Sequence, residues 1–227
     1  MNKLLKNILT NTFKIFGLKI HKSDRKFPEL WSSEKNFQIL FKQIADRTVV
    51  SQDRCFMLYQ FTNHLIKKPG EIAEVGVYKG GTAKLLAKTC PNKQIHLFDT
   101  FEGMPNSDTT IDFHKHGDFS DISIDSVKSF LKDCGNVVFH QGFFPETGTA
   151  VKDKKFALVY IDVDIYRSVK DCLEFFYGRI VPGGVIIIDD YESQYCLGVK
   201  KAITEFISDK PEKPIITTKY QCMLLKL

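Results

Sequence analysis

The sequence predicts an α/β fold in which a mostly parallel sheet carries helices on both of its faces. Two near-continuous apolar runs, residues 156–161 and 185–188, have the length and composition of strands buried on both sides. A segment of helical length separates them, and such a strand–helix–strand unit pairs its strands in parallel through a right-handed crossover. A glycine-rich turn after an earlier strand and a hairpin pattern near the end of the chain agree with this fold class.

Length, charge and cysteine content limit the class of protein. A chain of 227 residues is long enough for one well-buried domain and too short for two. The net charge of +5 is mild and the first residues are rich in lysine, which argues against a nucleic-acid-binding body. Six cysteines without paired or zinc-type spacing indicate reduced thiols in a cytoplasmic protein. The sequence shows neither a membrane-spanning apolar run nor a cleavable signal pattern.

The amino-terminal stretch, residues 1–26, is predicted to be a basic amphipathic segment that precedes a single domain at 27–227. Its early apolar positions have helical spacing with a rim of lysines. Two interpretations stay open. The segment is a helix in the headgroup region of an anionic membrane, with peripheral contact at the inner face, or a helix packed on the domain or on a second subunit. Apolar faces on the early helices also predict a homo-oligomer.

Two further helices are predicted before the first strand. Apolar residues at 37, 40, 41 and 44 recur at intervals of three and four, which predicts a helix over 33–45. A second helix is predicted over 52–66, with Ser51 or Asp53 near its N-cap and Pro69–Gly70 closing the turn after it. We expect both helices to cover the active site from the amino-terminal side.

A glycine-rich turn follows the first predicted strand, Ile72–Val75, and leads into a helix. Glycine in such a turn lets a ligand approach the backbone closely, and the helix amino terminus offers amides to a negative group. The glycines at Gly76, Gly80 and Gly81 do not have the spacing of a dinucleotide fold or of a phosphate-binding loop. The turn therefore predicts a small-molecule cofactor without phosphates.

The second predicted strand, residues 95–98, ends in Asp99, about 25 residues after Glu74. An acid at this position commonly binds ribose hydroxyls. Together with the glycine turn it indicates a nucleoside, and S-adenosylmethionine fits, with its carboxylate at the helix amino terminus and its ribose on Asp99. A third strand over 137–140 leads to Gly142 and Phe143, which we assign to the adenine edge, although Phe143 suits the core equally well.

Four acids follow the two apolar runs, residues 156–161 and 185–188. Asp162 and Asp164 follow the first, and Asp189 and Asp190 follow the second. Parallel strands bring their carboxyl ends to one edge of a sheet, where four carboxylates would repel one another unless a hard cation compensates them. This pattern predicts a magnesium-type site. Any one of these acids could instead form a turn or cap a helix, and an Asp-X-Asp pattern also occurs in glycosyltransferases and in phosphatases with an aspartyl nucleophile.

The final elements are predicted to be a helix over 196–207 and a hairpin. The hairpin strands are placed at 215–217 and 220–225, with the turn at Thr218 and Lys219. A polar stretch over 106–121 precedes a helix from residue 122 or 123 to 134, and its histidines, His114 and His116, are interpreted as solvated loop residues.

The motifs together resemble a known family. The cofactor turn resembles that of metal-dependent class I methyltransferases such as catechol O-methyltransferase, and residues 70–206 resemble the macrocin O-methyltransferase family more closely. The motifs that carry this resemblance are Glu74–Thr82, Asp99–Pro105, Gly117–Phe119, Gly142–Phe144, the cluster of Asp162, Asp164 and Tyr166, and Pro182–Tyr191. The resemblance implies a Rossmann-like class I methyltransferase fold with a seven-stranded, mostly parallel sheet, a terminal antiparallel hairpin and extra amino-terminal helices.

The resemblance also implies residue roles. The metal ligands fall on Asp162, Asp189 and Asp190, the general base falls on Asp164, and the stretch 106–121 becomes a lid over cofactor and substrate. A cation bound to sugar hydroxyls lowers their pKa, so that a carboxylate can accept the proton before methyl transfer. The residues expected to contact S-adenosylmethionine are Glu74, Gly76, Tyr78, Gly80, Thr82, Asp99, Thr100, Phe101, Gly142, Phe143 and Asp162.

The function expected on this basis is O-methylation of a sugar or saccharide precursor, with S-adenosylmethionine and Mg²⁺ as cofactors. The basic amphipathic segment favours a substrate made at the inner membrane surface, such as a surface polysaccharide, and a natural-product glycoside is the other substrate class. Two alternatives remain at this point. One is a metal-dependent glycosyltransferase that uses a nucleotide sugar, and the other is a non-catalytic S-adenosylmethionine-binding interaction module.

Overall fold

The structure, a computed structural model, describes residues 29–227. Seven strands in this part of the chain form one sheet, in the order β3-β2-β1-β4-β5-β7-β6. The strands are β1 (Glu71–Val75), β2 (Ile95–Asp99), β3 (Val137–Gln141), β4 (Phe156–Ile161), β5 (Ile180–Asp189), β6 (Ile215–Thr218) and β7 (Gln221–Leu225). The α-helices are α1 (Lys35–Ile44), α2 (Gln52–His64), α3 (Gly81–Thr89), α4 (Ile124–Phe130), α5 (Tyr166–Phe176) and α6 (Leu197–Phe206).

The pairing of the strands confirms the predicted sheet. Strands β1 to β5 pair in parallel, and β7 lies antiparallel between β5 and β6. Two boundaries differ from the prediction. Strand β5 begins at Ile180 rather than at Val185, with a register shift where it passes Pro182, which has no amide hydrogen to give to the ladder. The hairpin turn lies one residue later than predicted, at Lys219 and Tyr220.

Buried apolar clusters lie on both faces of the sheet, so the central strand β4 is buried throughout. All six residues of β4 are buried, and their side chains alternate between the faces. Tyr160 belongs to the apolar cluster beneath α1, α2 and α3, whereas Ile161 belongs to the cluster beneath α5 and α6. The near-continuous apolar run at 156–161 is thus explained by burial on two sides.

The predicted amino-terminal helices are confirmed as α1 and α2, each a little shorter than expected. Phe37 of α1 packs edge-to-face on Phe56 of α2 at 5.0 Å between ring centroids. Their connection, residues 45–51, meets the start of α3, where the amide of Gly81 donates to the carbonyl of Arg47 at 3.0 Å. This contact brings the connection over the carboxyl edge of the sheet.

The predicted basic amphipathic segment, residues 1–26, lies outside the described residues, as does its boundary with the domain. Within the described part of the chain, every helix is too short or too polar to cross a bilayer.

Candidate active site

A cleft opens at the carboxyl ends of the five parallel strands. Its empty volume, which includes open solvent at the mouth, is about 1060 Å³. The loop after each parallel strand supplies lining residues, among them Gly76, Thr100, Gly142, Asp162 and Asp190. Open α/β sheets bind their ligands at this edge.

The glycines of the β1–α3 turn are required by close packing within the chain. Gly76 has φ of +88°, and a Cβ there would lie 1.8 Å from the carbonyl oxygen of Asp162. Gly80 also has a positive φ, of +82°, and a Cβ at Gly81 would lie 2.6 Å from the carbonyl oxygen of Arg47. These glycines were predicted to let a ligand approach the backbone. Gly80 and Gly81 instead face other parts of the protein, Val127 and Arg47 respectively.

Asp99 holds the β1–α3 turn in place. Its Oδ2 accepts the amides of Val77 at 2.7 Å and Tyr78 at 2.9 Å, and its Oδ1 accepts the amide of Phe101 at 2.7 Å. A carboxylate offers about four acceptor positions, so one position remains on Oδ1 for a hydroxyl in the cleft. The predicted ribose acceptor is therefore both a structural clamp and a lining residue.

Glu74 lies beneath the same turn. Its side chain is fully buried, Oε1 accepts the hydroxyl of Thr82, and Oε2 has no hydrogen-bond partner among the described residues. Burial raises the pKa of Glu74 to about 8, with a smaller contribution from the charge of Asp99. Because buried oxygens normally find a partner, the unpaired Oε2 agrees with a raised pKa, at which this carboxyl is protonated near neutral pH.

The structure places most of the predicted cofactor residues in the cleft. Those that line it are Gly76, Tyr78, Thr82, Asp99, Thr100, Gly142, Phe143 and Asp162. Three do not. Glu74 acts through Thr82, Gly80 packs near Val127, and Phe101 is buried and packs on Phe139.

The α1–α2 connection and α2 contribute residues to the cleft wall that were not among the predicted site residues. Residues 47–50 and Arg54 line the cleft. Arg47 is fixed by hydrogen bonds from its guanidinium to the carbonyl of Lys79 at 3.1 Å and to Ser126. The predicted placement of the early helices over the active site is thus correct, although no local motif marks these residues.

Three of the four strand-end acids share one small space. Carboxylate oxygens of Asp162, Asp164 and Asp190 all lie within 4.8 Å of one another. Asp164 and Asp190 both have φ of +58°, an uncommon backbone conformation for a residue with a side chain. Backbone strain of this kind concentrates at functional sites.

The fourth acid, Asp189, is engaged by the protein. Its Oδ1 accepts the Gln221 amide at 2.7 Å, and its Oδ2 accepts the Tyr160 hydroxyl at 2.8 Å and Nη1 of Arg54 at 2.9 Å. The same Arg54 nitrogen lies 3.5 Å from Oδ1 of Asp190. A cation that compensates the acids was predicted from the sequence, but the guanidinium of Arg54 on α2, which compensates Asp189, was not.

The electrostatics of the cluster favour a further cation. Burial raises the pKa of Asp164 to about 8, and the charge of Asp190 adds to the rise. Burial also raises the pKa of Asp189 to about 6, while Arg54 lowers it. The pKa of Asp162 lies well above its usual range because of burial and the charge of Asp189. A divalent cation at this point would favour the ionised forms of all these groups.

The polar loop between β2 and α4 lies across the cleft. Its Asp121 accepts the Tyr78 hydroxyl and the Lys79 ammonium, each at 2.8 Å. A nitrogen of His114 lies within 4.8 Å of a carboxylate oxygen of Asp164. His114 was expected to be a solvated loop residue, but it is half-buried and lies at the acid cluster. His116, in contrast, is exposed. The loop folds back onto the site, which spacing along the sequence could not indicate.

Comparison with solved structures identifies the fold. The O-methyltransferase NovP superimposes with a TM-score of 0.75 over 84% of this chain and 98% of its own, at 20% identity. The O-methyltransferase TomG from Streptomyces achromogenes, solved with S-adenosylmethionine, gives a TM-score of 0.55 over the full length of both chains, at 13% identity. The chain therefore has the class I methyltransferase fold.

Sequence comparison identifies the family. The profile of the macrocin-O-methyltransferase (TylF) family matches residues 29–226, and the chain belongs to this family. The tetracenomycin-C rhamnosyl 4'-O-methyltransferase of Streptomyces olivaceus is 31% identical over 56% of this chain and 55% of its own length. The mycinamicin III 3''-O-methyltransferase of Micromonospora griseorubida is 28% identical over 61% of this chain and 60% of its own. The matched part thus spans little more than half of these relatives.

Proposed function

We propose that the protein is an S-adenosylmethionine-dependent O-methyltransferase that acts on a hydroxyl of a sugar or saccharide precursor, with Mg²⁺ as its metal. The observation that carries the proposal is that one cleft contains both the predicted cofactor-binding residues and the acid cluster. A nucleoside-sized pocket around Asp99 and the β1–α3 turn opens onto the cluster of Asp162, Asp164 and Asp190. Membership of the macrocin-O-methyltransferase family favours this function over a glycosyltransferase.

The residues fit S-adenosylmethionine. Asp99 has an acceptor position left for a ribose hydroxyl, and Gly142 and Phe143 line the part of the cleft assigned to the adenine. The Thr82 hydroxyl donates a hydrogen bond to Glu74. The lone pairs of the Thr82 oxygen therefore stay free to accept a hydrogen bond from the ammonium of the cofactor. This part of the cleft offers one hydroxyl and one amide-clamped carboxylate, and the two arginines among its described lining residues, Arg47 and Arg54, are bound to protein acceptors.

The acid cluster fits Mg²⁺ because its donors are carboxylate oxygens, which hard cations prefer. We assign the metal to Asp162, Asp189 and Asp190, as the family resemblance implies, and the general base to Asp164. A cation held by these residues would lower the pKa of a sugar hydroxyl bound next to it. Burial and the charge of Asp190 raise the pKa of Asp164 in the metal-free site, and a bound cation would favour its ionised form, which can accept this proton. Direct coordination by Asp189 requires that Arg54 release one of its oxygens.

The proposal is tested by calorimetric titration of S-adenosylmethionine into the protein, with magnesium and with chelator, and into Asp162→Asn. Turnover is then measured on a panel of methyl glycosides that includes methyl α-L-rhamnopyranoside. We expect cofactor binding with magnesium and with chelator, and methyl transfer only with magnesium and the unmutated protein. Absence of cofactor binding under every condition would reject the assignment. Equal turnover with chelator would reject the metal.

A further inference from the structure

A histidine, an aspartate and a cysteine from three separate loops meet beside the acid cluster. Ligand atoms of His114, Asp164 and Cys196 all lie within 4.8 Å of one another. His114 belongs to the loop between β2 and α4, Asp164 follows β4, and Cys196 immediately precedes α6. Asp164 is the proposed general base, whereas the function proposed above gives no role to His114 or Cys196.

The ligand types of this group differ from those of the acid cluster. Asp162, Asp164 and Asp190 offer only carboxylate oxygens, which suit a hard cation such as Mg²⁺. An imidazole nitrogen, a thiolate and one carboxylate oxygen suit a softer cation, and Zn²⁺ takes all three ligand types in tetrahedral sites that keep a fourth position for water. The two groups therefore select different metals, although they share one aspartate.

The contact between Cys196 and Asp164 already has the dimensions of a zinc site. The thiol is buried and donates to Oδ1 of Asp164 at 3.5 Å. A sulfur at about 2.3 Å and an oxygen at about 2.0 Å from a tetrahedral zinc ion lie about 3.5 Å apart. A zinc ion between the two atoms would take the place of the thiol hydrogen, which leaves to solvent as a proton, and would need little movement of either side chain.

The loop that carries His114 is fixed near the other two ligands. The Nδ1 atom of His114 lies 3.3 Å from Oδ2 of Asp118, which also accepts the amide of Lys115 at 2.9 Å. A carboxylate hydrogen-bonded to the ring is the usual partner of a zinc-binding histidine, because it orients the imidazole and makes it more basic. Two residues earlier, the buried Asp112 accepts the amide of Tyr166 at 2.9 Å and so anchors the loop to the start of α5.

We propose that His114, Asp164 and Cys196 form a zinc site that regulates the enzyme by fastening the loop between β2 and α4 to the acid cluster. Zinc bound here coordinates the carboxylate of Asp164, so that this group no longer accepts a proton. The ion is therefore an inhibitor of methyl transfer, separate from the magnesium that the proposed reaction uses. The regulatory role rests on the function proposed above, whereas the site itself depends only on its three ligands.

The site is tested by titration of Co²⁺, a spectroscopic substitute for Zn²⁺, into the full chain with Mg²⁺ in excess. A thiolate ligand gives a sulfur-to-cobalt charge-transfer absorption band, which carboxylates and imidazoles do not give. We expect this band with one equivalent of Co²⁺ and its loss when one equivalent of Zn²⁺ displaces the cobalt. Cys196→Ala should abolish the band, and His114→Ala should weaken Zn²⁺ binding at least about tenfold.

Matched controls replace the same residue types outside the site. Cys134 is another buried free thiol, and His116 lies on the same loop as His114 but is exposed. Cys134→Ala and His116→Ala should keep both the charge-transfer band and the affinity for Zn²⁺. Unchanged S-adenosylhomocysteine affinity in the absence of zinc shows that each variant is folded.

The zinc site is rejected if the unmutated protein gives no charge-transfer band, or if Cys196→Ala and His114→Ala bind Zn²⁺ as tightly as the unmutated protein. Regulation is measured separately. One equivalent of Zn²⁺ should abolish methyl transfer in excess Mg²⁺, and methyl transfer that continues while the band shows zinc bound would reject the regulatory role. A protein that binds zinc with these ligands but transfers no methyl group even without zinc would reject the methyltransferase function and leave the zinc site standing.

Discussion

Replacement of Arg54 by glutamine tests whether the protein itself neutralises part of the acid cluster. Arg54 bridges Asp189 at 2.9 Å and Asp190 at 3.5 Å, and Asp189 is only 2% exposed. Removal of one partner of a buried ion pair costs about 3–5 kcal/mol. Asp189 keeps its bonds to Tyr160 and Gln221 and can take up a proton, so we expect a cost at or somewhat below the lower limit of this range, about 2–3 kcal/mol.

The assay is thermal unfolding at neutral pH with chelator and with excess magnesium. With chelator, the Arg54→Gln variant should unfold about 5–10 °C below the unmutated protein. Magnesium should stabilise the variant more than the unmutated protein, because the guanidinium and the metal compete for Asp189 and Asp190. Lys200→Gln is the matched control, since Lys200 pairs with Glu192 and both side chains are about half exposed, and the change should leave the unfolding temperature nearly unchanged.

Two results would refute this reasoning. If Arg54→Gln and Lys200→Gln shift the unfolding temperature equally, the buried pair contributes no more than a surface pair. If magnesium stabilises the Arg54→Gln variant and the unmutated protein to the same extent, the guanidinium does not compete with the cation.

Three further predictions follow from individual contacts. Gly76→Ala should prevent folding, whereas Gly117→Ala, with positive φ but open space around it, should cost about 1–2 kcal/mol; equal soluble yields would contradict this. Burial and a neighbouring histidine lower the pKa of His140, so its contribution to stability should be lost as pH falls below about 6.5, and His140→Gln should flatten that part of the denaturation profile relative to the unmutated protein. Deletion of residues 1–21 should move the folded protein from the membrane to the soluble fraction; an unchanged distribution would reject the membrane role proposed for this segment.

The linear sequence determines the fold because its strongest signals are local. The run Phe156–Ile161 is apolar at every position since β4 is buried on both faces, and this pattern alone identifies a central parallel strand. The acids that follow β4 and β5 were placed together correctly, because parallel strands end at one edge. Convergence of Asp162, Asp164 and Asp190 therefore needed only the predicted topology.

Other parts of the site depend on packing that no local pattern records. Arg54 lies 135 positions from Asp189 in the sequence, and the two meet only because α2 crosses the end of the sheet. Gly81 has to be glycine because the carbonyl of Arg47 lies against it, although the turn alone suggested a ligand. His114 belongs to a loop whose path back to Asp164 is fixed by tertiary contacts, so its position could not be foreseen from spacing.

The state of each acid in the cleft indicates where ligands belong. Asp99 and Asp189 are each held by three short hydrogen bonds of 2.7–2.9 Å, so the protein satisfies them and uses them to fix the walls. The other three have only long contacts: Asp162 with a tyrosine hydroxyl at 3.2 Å, Asp164 with a thiol at 3.5 Å, and Asp190 with a guanidinium at 3.5 Å. Buried carboxylates with weak partners are costly unless a ligand compensates them. The three acids with long contacts are also those whose carboxylate oxygens lie within 4.8 Å of one another, so a cation bound there would relieve the most unfavourable charge. Asp189 would join such a site only where Arg54 releases one of its oxygens.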